Sequence, residues 1–109
     1  MAEQFTVVVS DARVLAALQL IQPATSHEVF DFIADVDWAA RLTEPKIGER
    51  LTSLCKEGFV YEAGDMRYIV TPVGSAFALT SMNRKDRDKL RILILNRSRY
   101  TNELRWMHG

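Results

Sequence analysis

A single cysteine, Cys55, stands in the 109 residues, which excludes an internal disulfide and any zinc site built from several cysteines. The two histidines, His27 and His108, lie far apart, and neither has another His or Cys at metal-ligand spacing. Glycine is too sparse for a phosphate-cradling loop: Gly58, Gly64 and Gly74 read as a helix cap, a turn and a helix start. The Asp and Glu residues are scattered and form no acid/base pair. Cys55 falls between apolar positions of a helix, where a thiol is structural rather than nucleophilic. These absences argue against an enzyme and against a bound metal or cofactor. No apolar run approaches the roughly 20 residues that span a bilayer. The opening MAEQFTVVVS has neither the basic start nor the apolar segment of a signal peptide, so the expected location is the cytoplasm, away from membranes.

What is present is the composition of a folded domain, 48% hydrophobic and 26% charged, in a chain long enough for one core. The net charge of zero hides an asymmetry. Residues 1–83 hold 6 Lys or Arg against 11 Asp or Glu, a balance of −5, whereas residues 84–109 hold 8 against 3, a balance of +5. Lys and Arg supply most non-specific affinity for DNA by neutralising phosphates. The acidic part therefore counts against a DNA partner and the basic end counts for one.

The stretch from Thr43 to Val73 organises the pattern. Thr43 is placed to cap a helix with its hydroxyl, Pro45 suits the first turn, and Ile47, Leu51 and Leu54 form one apolar stripe. Gly58 suits a left-handed helix end. Phe59–Tyr61 and Arg67–Val70 read as strands around a turn at Ala63-Gly64-Asp65, and Thr71-Pro72 begins a helix to about Met82 that packs Val73, Phe77 and Leu79. Upstream, Phe5–Val9 reads as a short strand or arm and Ser10 as the cap of a helix through Val14, Leu18 and Ile21, closed by Pro23. Thr25 and Glu28 have capping-box spacing before a helix that buries Val29, Phe30 and Ile33. Downstream, residues 83–88 are a charged junction, followed by one helix to about Met107. Its first side runs through Leu90, Leu93, Ile94, Arg97, Thr101 and Leu104; Ile92, Leu95 and Trp106 lie opposite, as on a helix with two partners.

Ile47, Leu51, Leu54, Gly58, Phe59 and Val60, then Tyr68, Thr71, Pro72 and Gly74, follow the order and spacing of a recognition helix and its wing. Over about residues 10–80 the chain resembles winged helix-turn-helix proteins, specifically the small regulators of the MarR, ArsR and PadR kind. The resemblance implies an α+β, mainly helical fold with a two- or three-stranded wing and a long C-terminal helix. It divides the chain into a winged domain at 1–82 and a basic helix at 83–109 for dimerisation or partner binding. One departure is the connection from Asp35 to Leu42, about twice the usual three or four residues and able to hold an extra helical turn with Trp38 against the core.

The function so implied is a dimeric transcriptional regulator that reads the major groove of double-stranded DNA with helix 44–57. Lys46, Arg50, Thr52, Ser53 and Lys56 are the expected contacts, with Arg67 on the wing, although Glu49, Glu62 and Asp65 stand among them. As the bland alternative, they form an ordinary solvated face. The amides at Ser26 and His27 are candidates for a phosphate, or for a simple capped helix end. Arg84, Lys85, Arg87, Lys89 and Arg91 suit a DNA backbone, an acidic partner or plain solvent equally. Ile92, Leu95 and Trp106 are the expected seam of a homodimer. The alternative function is a winged-helix protein–protein interaction module that does not bind DNA.

Overall fold

Helix α1 (Ala2–Ile21) is the axis of the fold. The computed structural model describes residues 2–39 and 41–96, with side chains from Asp11 onward. In α1, Ala12 and the run from Val14 to Leu18 are buried on every side, as a helix apolar all round must be. The helices α2 (Ser26–Asp35), α3 (Glu44–Lys56), α4 (Pro72–Ser81) and α5 (Arg84–Leu95), with strand β2 (Arg67–Val70), all pack against it. The single stripe expected on this helix was too narrow. The strand expected at Phe5–Val9 and the cap expected at Ser10 are instead part of α1. A β-branched residue costs a helix at most about 0.7 kcal/mol. Extending an existing helix adds a hydrogen bond for each residue fixed, which offsets that cost.

The chain leaves α1 through a cis Gln22–Pro23 bond, and Ala24 forms an isolated antiparallel bridge with Tyr68. The expected capping box starts α2. The Glu28 amide donates to Thr25 Oγ1 at 3.1 Å, and the Thr25 amide donates to Glu28 Oε1 at 2.8 Å. Val29 and Ile33 are buried and Phe30 is half-buried. The described residues of the connection to α3 form turns and no helix, and Asp37 takes a left-handed φ of 59° that redirects the chain. Trp38 is tucked in as expected, only 3% exposed.

In α3 the stripe of Ile47, Leu51 and Leu54 is buried. Thr43 does not cap with its hydroxyl, however; its carbonyl accepts the Ile47 amide at 3.0 Å. Gly58, at φ 81°, ends the helix region as expected. Strand β1 (Val60–Gly64) pairs antiparallel with β2, Val60 opposite Val70 and both facing the core. The turn is Asp65-Met66, not Ala63-Gly64-Asp65. Both residues have positive φ, 54° and 59°, as a two-residue hairpin turn demands, and Gly64 at φ 106° absorbs a register shift inside β1.

Thr71 caps α4 as expected, its Oγ1 accepting the Gly74 amide at 3.1 Å. The buried face of α4 is Gly74 and Ala78, whereas Val73 and Leu79 are exposed, so the expected packing face is displaced by one residue. Phe77 is half-buried and stacks on Phe59 at 4.4 Å between centroids. Asn83 caps α5, which buries Asp86, Leu90 and Leu93; Ile94, expected on that side, faces water. Arg97, Thr101, Leu104 and Trp106 lie outside the described residues. The described residues thus form five helices and one two-stranded antiparallel sheet, a mainly helical α+β fold. No helix among them is long and apolar enough to cross a membrane.

Candidate nucleic-acid interface

Helix α3 is held on its inner side by α1 and α2 and is followed directly by the hairpin. Burial of Ile47, Leu51 and Leu54 leaves Glu49, Thr52 and Lys56 on the outer side, with Lys46 and Ser53 along one flank. Lys46 and Lys56 are exposed and neither is paired with a carboxylate among the described residues. Thr52 donates its hydroxyl to the Gly48 carbonyl at 3.0 Å, which leaves its oxygen free to accept. Ser53 is half-buried.

Two of the expected contacts are committed elsewhere. Arg50 Nε donates to Asp11 Oδ1 at 2.8 Å, so its guanidinium ties α3 to α1 instead of reaching outward. Burial pushes the Asp11 carboxyl above its usual value, and the Arg50 guanidinium pulls it back. Arg67 Nη1 donates to Glu28 Oε1 at 2.8 Å and to the Pro23 carbonyl at 3.4 Å, binding the hairpin to the start of α2. On the hairpin itself Glu62 and Asp65 are exposed. Its surface repels phosphates rather than attracting them.

Ser26 and His27 stand at the start of α2, among carboxylates. His27 Nδ1 meets Glu44 Oε1 at 2.7 Å, and Nε2 meets Asp31 Oδ2 at 3.1 Å. With Glu28 also close by, a phosphate there would face three carboxylates, which opposes the anion site. The Asp31 contact was legible as an i,i+4 pair. The Glu44 contact was not, because it depends on how α2 and α3 cross. The Glu44 hydrogen bond, then the charges of Asp31 and Glu44, raise the His27 pKa above its ordinary 6.5. A base whose pKa rises on folding stabilises the fold fully below its ordinary value and loses that contribution as pH climbs through the folded value. The imidazole resonances of His27 should therefore titrate with a midpoint above 6.5, and Glu44→Gln should lower it. An unchanged midpoint in that variant would show that the contact does not persist in solution.

The remaining polar centre is Asp86, expected in a charged junction but only 3% exposed. Its carboxylate accepts from Arg13 Nε at 3.0 Å and from Trp38 Nε1 at 3.1 Å. The Arg13 guanidinium also donates to the Trp38 carbonyl at 3.3 Å. These bonds tie α1, the long connection and α5 together, and no spacing in the sequence announces them. Cys55 is half-buried, and burial together with Glu62 raises its thiol pKa, which disfavours a reactive thiolate. Among the described residues no group of three or more His, Cys, Asp or Glu could hold a metal ion. On α5, Ile92 and Leu95 are exposed as expected of a seam, and Trp106 lies outside the described residues. Compared with protein-family models, with curated proteins and with solved structures, the chain matched none.

Proposed function

We propose that the chain is a winged helix-turn-helix protein that binds double-stranded DNA and regulates transcription by laying the outer side of α3 in the major groove. The observation that carries this reading is the solvent side of α3, where Thr52 and Lys56 stand beside Glu49 on the outer side and Lys46 and Ser53 on one flank, neither lysine being paired with a carboxylate among the described residues. Lysines suit phosphates, and small hydroxyl side chains suit base edges. The element order supports it as well: α2, α3 and a hairpin in succession, with Ala24 bridged to β2 as the stub of a third strand. The role is one of binding, not catalysis. A homodimer would set two α3 helices for adjacent half-sites, and Ile92 and Leu95 are exposed and available to join the copies.

The test is an electrophoretic shift against mixed-sequence duplexes at low salt, comparing the wild type with Lys46→Glu/Lys56→Glu. Binding should be lost in the variant while its melting temperature hardly moves. Each lost phosphate contact should flatten the slope of log K against log salt by about one unit. Arg50 is unsuited to this test, because removing it leaves Asp11 buried without its partner. Wild-type protein that shifts no duplex at low salt would sink the proposal. The internal pairing of Arg50 and Arg67, with Glu62 and Asp65 on the hairpin, favours a second reading, a winged-helix module that docks on another protein. A wild type without DNA affinity would speak for it, whereas DNA affinity that survives charge reversal on α3 would mean that another element of the chain contacts the duplex.

A further inference from the structure

Helix α3 carries an acid where a groove-facing helix loses most non-specific affinity to one. Glu49 lies roughly 160° round the helix from both Ile47 and Leu51 and roughly 140° from Leu54, so it points away from the core. It is exposed and takes part in no ion pair among the described residues. Lys46, one turn before it, does not close on it. Thr52 and Ser53 follow one turn later and Lys56 two turns later, on the same side or its flank. The other acid of α3, Glu44, is engaged by His27 at 2.7 Å. Glu49 is thus the free acid in the middle of the candidate reading surface.

The inference rests on the reading of α3 as a helix in the major groove. There an exposed carboxylate meets either phosphates or base edges. Phosphates repel it, and the deoxyribose backbone offers it no donor. The base edges differ among themselves. Guanine and thymine present acceptors, and adenine sets its N7 acceptor beside its amino group. Cytosine alone presents a donor, its N4 amino group, with no acceptor on its own edge. We propose that Glu49 is the specificity-determining residue of α3 and accepts a hydrogen bond from N4 of a cytosine, while Lys46 and Lys56 hold phosphates. Its place along the helix fits, because a recognition helix reaches base edges from its N-terminal part, and Glu49 is the sixth of the 13 residues counted from Glu44. The lysines supply attraction that is the same for every sequence. The acid withdraws part of that attraction wherever no cytosine stands in register.

Selection from a randomised duplex pool at low salt tests it, with wild type, Glu49→Gln and Glu49→Ala side by side. The wild type should enrich cytosine at one position and discriminate against other bases there by on the order of 5- to 150-fold, the worth of one good base contact. Glu49→Gln should move the preference at that position to adenine, whose N6 and N7 an amide meets together. Glu49→Ala should lose the preference there and bind mixed-sequence duplexes more tightly, because an anion has left the groove. Alanine and glutamine are good helix formers and the site is exposed, so circular dichroism should show both variants folded like the wild type. One preference shared by all three proteins overturns the inference while leaving α3 in the groove. So does a Glu49→Ala variant that binds mixed duplexes no more tightly than the wild type. A wild type that binds no duplex overturns both this inference and the reading of α3 beneath it.

Discussion

Replacing Gly74 by alanine should destabilise the fold by about 4 kcal/mol or more, which is exceptional for the addition of one methyl group. A Cβ at this position would lie 2.1 Å from the Phe59 carbonyl oxygen and 2.9 Å from its carbonyl carbon. Both are backbone atoms, and they are held. The Phe59 carbonyl accepts the Thr71 amide at 3.0 Å, Thr71 Oγ1 donates to the Gly58 carbonyl at 2.8 Å, and the Phe59 ring is stacked on Phe77. No flexible side chain is available to move aside. The start of α4 must separate from the start of β1, and the Thr71 cap is lost with it. Native stability is only about 5–15 kcal/mol in all, so the variant should be largely unfolded or nearly so. Urea denaturation followed by circular dichroism measures the change. Gly48→Ala is the matched control, since its new Cβ would meet nothing nearer than Ser26 Oγ at 4.0 Å. In the interior of α3 that change should be neutral or should stabilise by up to about 1 kcal/mol. Equal stability of the two alanine variants would refute the close approach of α4 and β1.

Asp86→Ala should cost about 3 kcal/mol, at the lower end of what breaking a buried ion pair costs. The lower end applies because Arg13 keeps 24% of its side chain in water and can recover part of its hydration. The Trp38 indole N–H, by contrast, is left without its acceptor in a buried position. Trp38→Phe removes only that hydrogen bond from the carboxylate's side and should cost less, about 1.5–3 kcal/mol including the lost packing. The decisive comparison is Arg13→Met/Asp86→Leu. Removing both charges avoids an uncompensated ion, so the double change should cost less than Asp86→Ala alone. Strict additivity of Arg13→Met and Asp86→Leu, each also made alone, would mean that the two residues do not interact in solution.

Much of the local structure follows from neighbours in the chain. Thr25 and Glu28, Thr71 and Pro72, Gly58, and the spacing of Ile47, Leu51 and Leu54 announce caps, stops and a buried stripe by interactions that span at most a few turns. All of these hold in the structure. The Phe5–Val9 expectation failed because β propensity is a weak local preference that an extending helix outweighs. The face of α4 was misplaced for a related reason. Val73 and Leu79 are the larger apolar residues, yet Gly74 is on the near side of α4, because the Phe59 backbone lies too close there for anything bigger, and Ala78, one turn on, shares its side.

The candidate site divides in the same way. That α3 would turn Lys46, Thr52 and Lys56 outward was determined by the sequence, through the 3.6-residue period and the apolar stripe opposite. Whether a given cation on that surface is free was decided only by tertiary structure. Arg50 and Arg67 are as basic as Lys46 in the sequence, but Asp11 and Glu28, each 39 residues away, claim them. Asp86 and Arg13, separated by 73 residues, find one another in the core by the same means. Ion pairing depends on which elements meet in space, and periodicity along the chain carries no record of that.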